Sequence, residues 1–356
     1  AVCLSQGMPV RLGIVGMGYW GPNLARNLAT LESCELAWCC ELDEAKRDHW
    51  ESAYPQATFT ADLDDLLSDP DLSAVVVATP GSTHAPIAER VMEAGKNCFV
   101  EKPLAQDVES AKGLAQLADE RDLVLMVGHL LCYHPGIRQL ADLIGRGELG
   151  QIRYVHSQRL NLGKVRTDEN ALWSLGAHDV SVLLELADGE PVEVSARGEA
   201  FMHEGVEDVV FAHIRFDTGL VTHLHLSWLD PHKVRRITVV GSERMATLDD
   251  MALERKLSIW DNSFASLSDT YGEYITRSGP VHSPMVLNTE PLRLECAHFI
   301  ECLRTGERPH TDGVAGVQVV TVLQALQASL EASGAPVPVT LPTDIGANRP
   351  GIHARP

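Results

Sequence analysis

The chain has 356 residues, which is enough to build two hydrophobic cores rather than one. It is 45% hydrophobic and 22% charged, with a mean hydropathy of -0.04, the composition of a globular protein. Its 29 basic and 49 acidic residues give a net charge of -20. Such a charge repels nucleic-acid backbones and anionic lipid surfaces, so neither a nucleic-acid nor a membrane partner is expected.

The eight cysteines are scattered and form no CxxC pair. This pattern predicts buried free thiols in a reducing cytoplasm rather than a disulfide framework or a zinc site. The first ten residues lack a basic segment followed by an apolar core, and no apolar run approaches the ~20 residues of a membrane-spanning helix. We therefore expect a cytoplasmic protein with loosely held tails at 1–8 and 341–356.

The first third of the chain alternates strand and helix patterns. Continuous apolar runs that are typical of buried parallel strands are VRLGIV, CELAWCC, SAVVVAT, NCFV and LVLMV. Segments with helical spacing of apolar residues lie between them, such as THAPIAERVMEAG, where Pro86 is tolerated in the first turn and Gly95 ends the helix. Strands separated by helices predict an α/β domain with a parallel, doubly wound sheet over 9–129.

From about residue 150 the pattern changes to successive strands with turn residues between them. The strand candidates are QIRYVHSQRLNL, VEVSARGEAF, VVFAHIRF, LVTHLHLSWL and KVRRITVVG. One helical segment, HDVSVLLELAD, interrupts them, and two more helices close the chain. The sequence thus predicts a second α/β domain over 130–340 with a mostly antiparallel open sheet. Its C-terminal helices are expected to pack back on the first domain.

Residues 16–21 read GMGYWG, a GxGxxG run that follows a strand and opens a helix. Gly16 permits the tight turn, Gly18 lets the backbone approach a pyrophosphate, and Gly21 permits close helix packing. Glu41 ends the second strand at the distance where an acid binds an adenosine ribose diol; it would repel a 2′-phosphate, so NAD is favoured over NADP. Asp43 is better explained as the N-cap of the next helix.

Residues 101–103 read EKP directly after the fourth strand candidate. In a doubly wound sheet, ligands bind beyond the carboxyl ends of the strands, which is where Lys102 stands. An ammonium group that is partly desolvated beside a cationic nicotinamide loses its proton more readily, so Lys102 is a candidate to accept or share a hydroxyl proton. The competing interpretation is a solvated Lys102 paired with Glu101.

Three segments resemble the glucose-fructose oxidoreductase / inositol dehydrogenase / MocA family: GIVGMGYWGPNLARNL, ATPGSTHAPIAERVMEAGKNCFVEKPLA and LWSLGAHDVSVLLEL. The resemblance covers residues 9 to 330 and implies a Rossmann dinucleotide-binding domain followed by a substrate-binding and oligomerisation domain. It also implies oxidation or reduction of a sugar or cyclitol carbon with NAD(P), with Lys102 and His178 at the reacting hydroxyl. A homodimer or homotetramer is implied by the resemblance alone.

His178 also stands at the start of a predicted helix, off its apolar stripe, where the helix dipole favours a neutral imidazole that can act as a base. A capping or structural histidine is the alternative. Many members of the resembled family carry Asp four residues before this His, whereas this chain has Ser174. Asp179 is a candidate to compensate in holding the substrate.

Further candidates follow from position and chemistry. The remaining cofactor candidates are Tyr19, Trp20, Thr79, Pro80, His84 and Glu101. For His84, a residue that begins a helix without a ligand role is an equal alternative. The remaining substrate candidates, in a loop rich in polar and charged residues that suits a diphosphate or carboxylate, are Arg159, Asn161, Arg166 and Trp173. Lys164, Asp168 and Asn170 belong to the same loop, for which an ordinary solvated loop is the alternative.

A metal site at His213, His223 and His225 is not expected, because no carboxylate or Cys completes a ligand set at useful spacing. The predicted function is an NAD-dependent oxidoreductase acting on a sugar carbinol, with a loop resembling that of nucleotide-sugar members such as UDP-N-acetylglucosamine 3-dehydrogenases. Alternatives are a ketosugar reductase or cyclitol or aminocyclitol dehydrogenase of antibiotic or deoxysugar biosynthesis, an NAD-dependent glycosidase, and an inert dinucleotide-binding regulator.

Overall fold

The structure is a computed structural model that describes residues 9–163, 165–266 and 274–345. Two compact units share these residues. Unit 1 holds the described residues up to Tyr133, Thr289–Val320 and those from Pro342; unit 2 holds His134 to Asn288, as far as described, and Thr321–Leu341.

The strands are β1 Val10–Val15, β2 Cys34–Cys40, β3 Thr58–Thr60, β4 Ala74–Val77, β5 Asn97–Glu101, β6 Leu125–Gly128, β7 Ile152–Leu162, β8 Pro191–Glu199, β9 Val209–Phe216, β10 Val221–Ser227, β11 Leu229–Gly241, β12 Met245–Asp249, β13 Leu257–Trp260, β14 Ser263–Ser266, β15 Tyr274–Arg277, β16 Val281–His282 and β17 Val337–Pro338. The α-helices are α1 Gly21–Ala29, α2 Glu44–Ala53, α3 Leu63–Leu67, α4 His84–Glu93, α5 Val108–Glu120, α6 Pro135–Gly145, α7 Ala177–Leu186, α8 Pro291–Thr305 and α9 Gly313–Glu331.

Unit 1 is built on a parallel sheet with the strand order β3-β2-β1-β4-β5-β6. The central strand β4, which reads AVVV, is buried along its whole length, as continuous β-branched runs predict. Strand order reverses between β1 and β4, so the loops after these two strands diverge and leave room for a ligand. The doubly wound Rossmann architecture expected from the sequence is confirmed.

Helix α8 packs on the same sheet although it is remote in sequence. The rings of Phe99 on β5 and Phe299 on α8 meet edge to face with centroids 5.5 Å apart. Leu292, Cys296 and Ile300 join this core, at the helical spacing of one buried face. Helix α8, from the C-terminal part of the chain, therefore covers part of the sheet of unit 1.

Unit 2 is built on a mixed sheet with the order β16-β13-β12-β11-β7-β10-β9-β8-β17. Its strand pairs are antiparallel except for β7 and β10, which are parallel. The chain between these two strands contains α7, β8 and β9, so it is long enough for the crossover that a parallel pair requires. The mostly antiparallel sheet predicted from the sequence is confirmed. The sequence patterns did not predict α6, nor β3, α3 and the strands from β12 onward, which are too short to establish a period.

Helix α9 corrects one expectation. It has 19 residues with a hydropathy of 1.4, so by length and composition alone it is long enough to cross a membrane. Of its most apolar stretch, 61% is buried inside the protein, as in the core helix of a globular protein.

The described cysteines, all free thiols, are Cys34, Cys39, Cys40, Cys98, Cys132, Cys296 and Cys302. The predicted tail at 1–8, which includes Cys3, Lys164 and the tail from 346 lie outside the described residues.

Candidate active site

The glycine loop after β1 has the geometry that a dinucleotide phosphate requires. Gly16 has φ +96, and a Cβ there would lie 2.8 Å from the carbonyl oxygen of Ala78. A Cβ on Gly21 would collide with the carbonyl oxygen of Gly16, whereas Gly18 faces open space. The loop is therefore closed on the protein side and accessible at Gly18, and the N-terminus of α1 supplies positive potential for phosphates. These residues fit NAD.

Glu41 connects this loop to the end of β2. Its Oε2 accepts a hydrogen bond of 2.8 Å from the Met17 backbone N–H, and its Oε1 accepts one of 3.0 Å from the Asp43 N–H. Asp43 caps α2, accepting a 3.2 Å hydrogen bond from the Lys46 N–H, as the sequence predicted. Glu41 thus lies where Rossmann domains hold the adenosine ribose, and its contact with that ribose stays a prediction.

His84 links the ends of β4 and β5. The residue is 1% exposed, with Nδ1 2.7 Å from the carbonyl oxygen of Pro103 and Nε2 2.8 Å from that of Thr79. Because both nitrogens face backbone carbonyls, this geometry favours the structural alternative for His84 over ribose binding. His84 therefore fixes the loop that carries Lys102 to the end of β4.

Two other cofactor candidates, Pro80 and Tyr19, are exposed, and Tyr19 has 87% of its surface accessible.

Replacing His84 with Ala is expected to lower the free energy of unfolding by about 2 kcal/mol, because a buried carbonyl that loses its donor costs about 1–3 kcal/mol. Urea denaturation measures the change. His49→Ala on the exposed face of α2 is the matched control and should leave stability nearly unchanged. Equal losses in both variants would contradict the linking role of His84.

Lys102 lies at the same sheet edge as the glycine loop and Thr79, because the parallel strands β1, β4 and β5 end there. Its side chain is partly exposed, and the Lys102–Pro103 peptide bond is cis. The buried Glu101 accepts a 3.2 Å hydrogen bond from the Lys102 backbone N–H. Burial raises the pKa of Glu101 to about 7, although the Lys102 charge acts in the opposite direction.

In unit 2, His178 lies in the first turn of α7, directly after a π-helical turn at Leu172–Gly176. π-helical turns are frequent at functional sites. Ser174 lies within this turn and is 7% exposed. Ser174 is thus carried by the π-helical turn, and His178 by the regular α-helix that begins directly after it.

Asp179 fixes the start of α7 against β7. Its Oδ1 accepts a 2.5 Å hydrogen bond from Ser157 and its Oδ2 one of 2.5 Å from Arg159 Nε. Asp179 is 1% exposed and Arg159 is 8% exposed, so both groups are held inside the protein. The network favours a positioning role for Asp179 and Arg159, which hold the first turn of α7 on β7.

The polar loop predicted to bind substrate is partly occupied by its own ion pairs. Arg166 lies 2.7 Å from Glu169, and Asn161 is half-buried. Asn170 of the same loop is buried, donates to Glu207 at 2.6 Å, and accepts from the Trp173 N–H at 3.1 Å. These bonds anchor the half-buried Trp173 at the start of the π-helical turn.

The sheet histidines lie in one row across three strands. His223 pairs with His156 on β7 and with His213 on β9, and its ring centroid is 4.6 Å from that of His213. Burial lowers the pKa of His156 and of His223, which favours neutral rings. Among the described residues, no group of three or more His, Cys, Asp or Glu has a geometry suited to a metal ion.

Comparisons with known proteins match the described architecture. A family model described as "Oxidoreductase family, NAD-binding Rossmann fold" matches residues 10–129, and a GFO/IDH/MocA C-terminal domain matches 137–247. UDP-N-acetylglucosamine 3-dehydrogenase from Acidithiobacillus ferrooxidans is 30% identical over 324 residues, covering 91% of this chain and 98% of that protein. A solved structure of that enzyme has a TM-score of 0.76 at 27% identity over 92% of this chain and 99% of its own.

Two further relatives cover most of the chain. The structure of GenD2 from gentamicin A biosynthesis, solved in complex with NAD, has a TM-score of 0.78 at 26% identity, over 94% of this chain and 97% of its own. The scyllo-inositol 2-dehydrogenase (NAD(+)) of Bacillus subtilis is 25% identical over 315 residues, 84% of this chain and 88% of that protein. Two of these relatives are named as dehydrogenases of a nucleotide sugar and of a cyclitol, and GenD2 was solved with NAD.

Proposed function

Because the chain belongs to the Gfo/Idh/MocA family of NAD-binding oxidoreductases, we propose that it oxidises one secondary hydroxyl of a nucleotide-activated sugar. That it is a dehydrogenase acting on CH–OH groups with NAD follows from the family. The nucleotide-sugar substrate is supported by one observation above all, the similarity to UDP-N-acetylglucosamine 3-dehydrogenase along nearly the whole length of both chains.

The cofactor is bound by unit 1 in this proposal. The backbone at Gly18 and the N-terminus of α1 receive the pyrophosphate, and Glu41 accepts hydrogen bonds from the adenosine ribose hydroxyls. Tyr19, Trp20, Thr79 and Pro80 complete the predicted cofactor contacts. NAD supplies the hydride acceptor, and the protein supplies orientation and proton transfer.

Oxidation of a carbinol releases a hydride from carbon and a proton from oxygen. His178 is proposed to take up the hydroxyl proton as the carbonyl forms, while the Lys102 ammonium donates a hydrogen bond to the same oxygen and stabilises the negative charge that develops there. Ser174 is a smaller and uncharged group where many family members carry Asp, so its hydroxyl can hold the substrate but cannot carry the proton at neutral pH. Positioning of the C–H bond supplies a large part of the rate enhancement.

A free aminocyclitol or sugar is the second candidate substrate, and two observations favour it. The guanidinium groups of Arg159 and Arg166 are both engaged by carboxylates of the chain, so a diphosphate would have to displace Glu169 to reach Arg166. The similarity to GenD2 from gentamicin A biosynthesis also covers nearly the full chain. A substrate without a diphosphate requires neither arginine.

A substrate screen that follows NADH absorbance tests the proposal. With NAD, the protein should oxidise UDP-linked N-acetylhexosamines at least tenfold more efficiently, in kcat/KM, than the same free sugars or inositols. NADH with a ketosugar should give the reverse reaction. Efficient oxidation of only free cyclitols would select the second candidate. Release of a sugar's aglycone without net NADH would contradict both.

A further inference from the structure

Unit 1 contains two buried carboxyl groups that have oxygens without a hydrogen-bond donor among the described residues. Glu295 on α8 is 0% exposed, and Glu101 at the end of β5 is 7% exposed. Both Glu295 oxygens and Glu101 Oε1 have no hydrogen-bond partner within the part of the chain that the structure describes. Buried carboxyl oxygens without partners are rare enough to require an explanation.

Both carboxyl groups lie close in sequence to one packed contact between α8 and β5. Phe99 and Phe299 fix α8 over β5. Glu101 lies two residues beyond Phe99, on the same face of the strand, and Glu295 lies one helical turn before Phe299. A Cβ on Gly128 would lie 3.0 Å from the Glu101 carboxyl carbon, so glycine there makes room for this carboxyl group.

Two ionised carboxylates only accept hydrogen bonds, so neither can satisfy the other, and their like charges repel. One proton removes both difficulties, because the protonated carboxyl group becomes a donor to its neighbour. We propose that Glu295 stays protonated and donates this proton in a hydrogen bond to Glu101, keeping Glu101 ionised beside Lys102. Glu295 would then be a positioning residue of the proposed dehydrogenase, on which this inference rests.

The directions of the pKa shifts of the two carboxyl groups and their neighbours agree with this assignment. Burial, and then the charge of Glu101, raise the pKa of Glu295 well above its usual value. Burial, opposed by the neighbouring Lys102, raises the pKa of Glu101 only to about 7. Burial and then Glu295 raise the pKa of Cys296, and burial and then Lys102 lower the pKa of His129 to about 3. The contacts of the two groups decide between them: Glu101 accepts a hydrogen bond from the Lys102 N–H, whereas both oxygens of the fully buried Glu295 have no donor within the described residues, so the proton is assigned to Glu295.

Other neighbours leave the same assignment in place. Burial, opposed by the hydrogen bond to Thr311, raises the pKa of Tyr133 well above its usual value, with Glu295 as a smaller cause. The indole N–H of Trp20 is directed toward Glu101 but has no partner within hydrogen-bonding geometry. The ionisable groups around the pair are thus Lys102, whose charge lowers the pKa of Glu101, and the neutral His129, Tyr133 and Cys296.

Glu295→Gln and Glu295→Leu separate the proton-donating role from a structural one. The Gln side chain keeps a donor, so the pH profile of kcat should stay within about 0.3 unit of wild type. The Leu side chain removes the donor; Glu101 then protonates more readily, and Lys102 loses its counter-charge. Because Glu101 must be ionised to hold the Lys102 ammonium, the acid limb of the profile should move to higher pH by about one unit. Glu301, exposed on the same helix, supplies the controls Glu301→Gln and Glu301→Leu, which should not shift it.

Two measurements without substrate distinguish a failure of this inference from a failure of the proposed function. Infrared spectra of the whole protein at pH 7 should show a protonated carboxyl band that Glu295→Gln removes and Glu301→Gln retains. The unfolded chain releases the Glu295 proton above its usual pKa of 4.5. Wild-type stability is therefore lost, relative to Glu295→Gln, as pH rises from 5 toward the raised folded pKa. The expected loss is about tenfold in the folding constant per pH unit.

The results of these experiments distinguish the inference about Glu295 from the proposed function. A missing infrared band in wild type, or an unchanged stability difference between pH 5 and pH 8, would show that Glu295 is not the proton carrier and would overturn the inference. Equal shifts of the acid limb in the Gln and Leu variants would overturn the donor role. The infrared and stability results hold even if every sugar in the screen proves inactive, in which case only the proposed function fails.

Discussion

Lys102→Ala should bind NAD with nearly wild-type affinity while kcat falls by about 10²–10⁴-fold, the usual contribution of a positioned acid or base. The loss is expected because Lys102 ends the strand whose neighbours carry the glycine loop and Thr79, at the sheet edge where dinucleotides bind. The buried Glu101 beside it gives the ammonium a fixed counter-charge. Steady-state NADH formation gives kcat, and titration calorimetry gives the affinity for NAD.

Lys112→Ala is the control for this variant. Lys112 lies on α5 of the same unit and makes a surface ion pair with Asp344, so its replacement should cost no more than about 1 kcal/mol of stability and no turnover. If Lys102→Ala kept its kcat, the role given to Lys102 would be wrong. If it lost NAD affinity and kcat by the same factor, Lys102 would be a cofactor-binding residue only.

His178→Asn should lower kcat by about 10²–10⁴-fold, because Asn keeps the size and a hydrogen-bonding group but cannot take up a proton at neutral pH. The π-helical turn and the bonds of Asp179 to β7 fix the first turn of α7, so the substitution is expected to leave the fold intact. Steady-state kinetics and urea denaturation measure the two quantities. His232→Asn, on the exposed side of β11, is the matched control.

The double variant Lys102→Ala/His178→Asn distinguishes joint from separate roles. Groups that act on one proton as a unit lose activity non-additively, so the double variant should be less than tenfold slower than the slower single variant. Multiplication of the two single losses would show that Lys102 and His178 act at different steps. Full activity in His178→Asn would assign the histidine to structure alone.

The local patterns of the sequence were sufficient for the nucleotide-binding fold. Each buried parallel strand is a continuous apolar run, and the glycine spacing reports a backbone geometry that only glycine adopts without a collision, as at Gly16 and Gly21. The N-cap role of Asp43 was likewise readable from one residue and its position. The strands from β12 onward were not predicted, because two to five residues cannot establish an alternation.

The candidate site was only partly readable, because its supporting contacts join residues that are distant in sequence. Nothing near Asp179 indicates that Ser157 and Arg159 hold it, and Glu101 gives no sign of Glu295. One signal was present: Glu295 lies on the face of α8 that also carries Leu292, Cys296 and Phe299. A carboxylate on an otherwise apolar helical face predicts a buried charge or proton, and only the packing identifies its neighbour.

Single-turnover hydride transfer tests the central claim most directly. A UDP-linked N-acetylhexosamine with deuterium at the carbinol carbon is mixed with NAD and either wild-type protein or Lys102→Ala, and deuterated NADH is measured by mass spectrometry. The account predicts rapid deuterium transfer in the wild type and transfer slowed by at least 10²-fold in the variant, with NAD still bound. Equal transfer rates in the two proteins, or substrate turnover by the wild type with no deuterium in NADH, would contradict it.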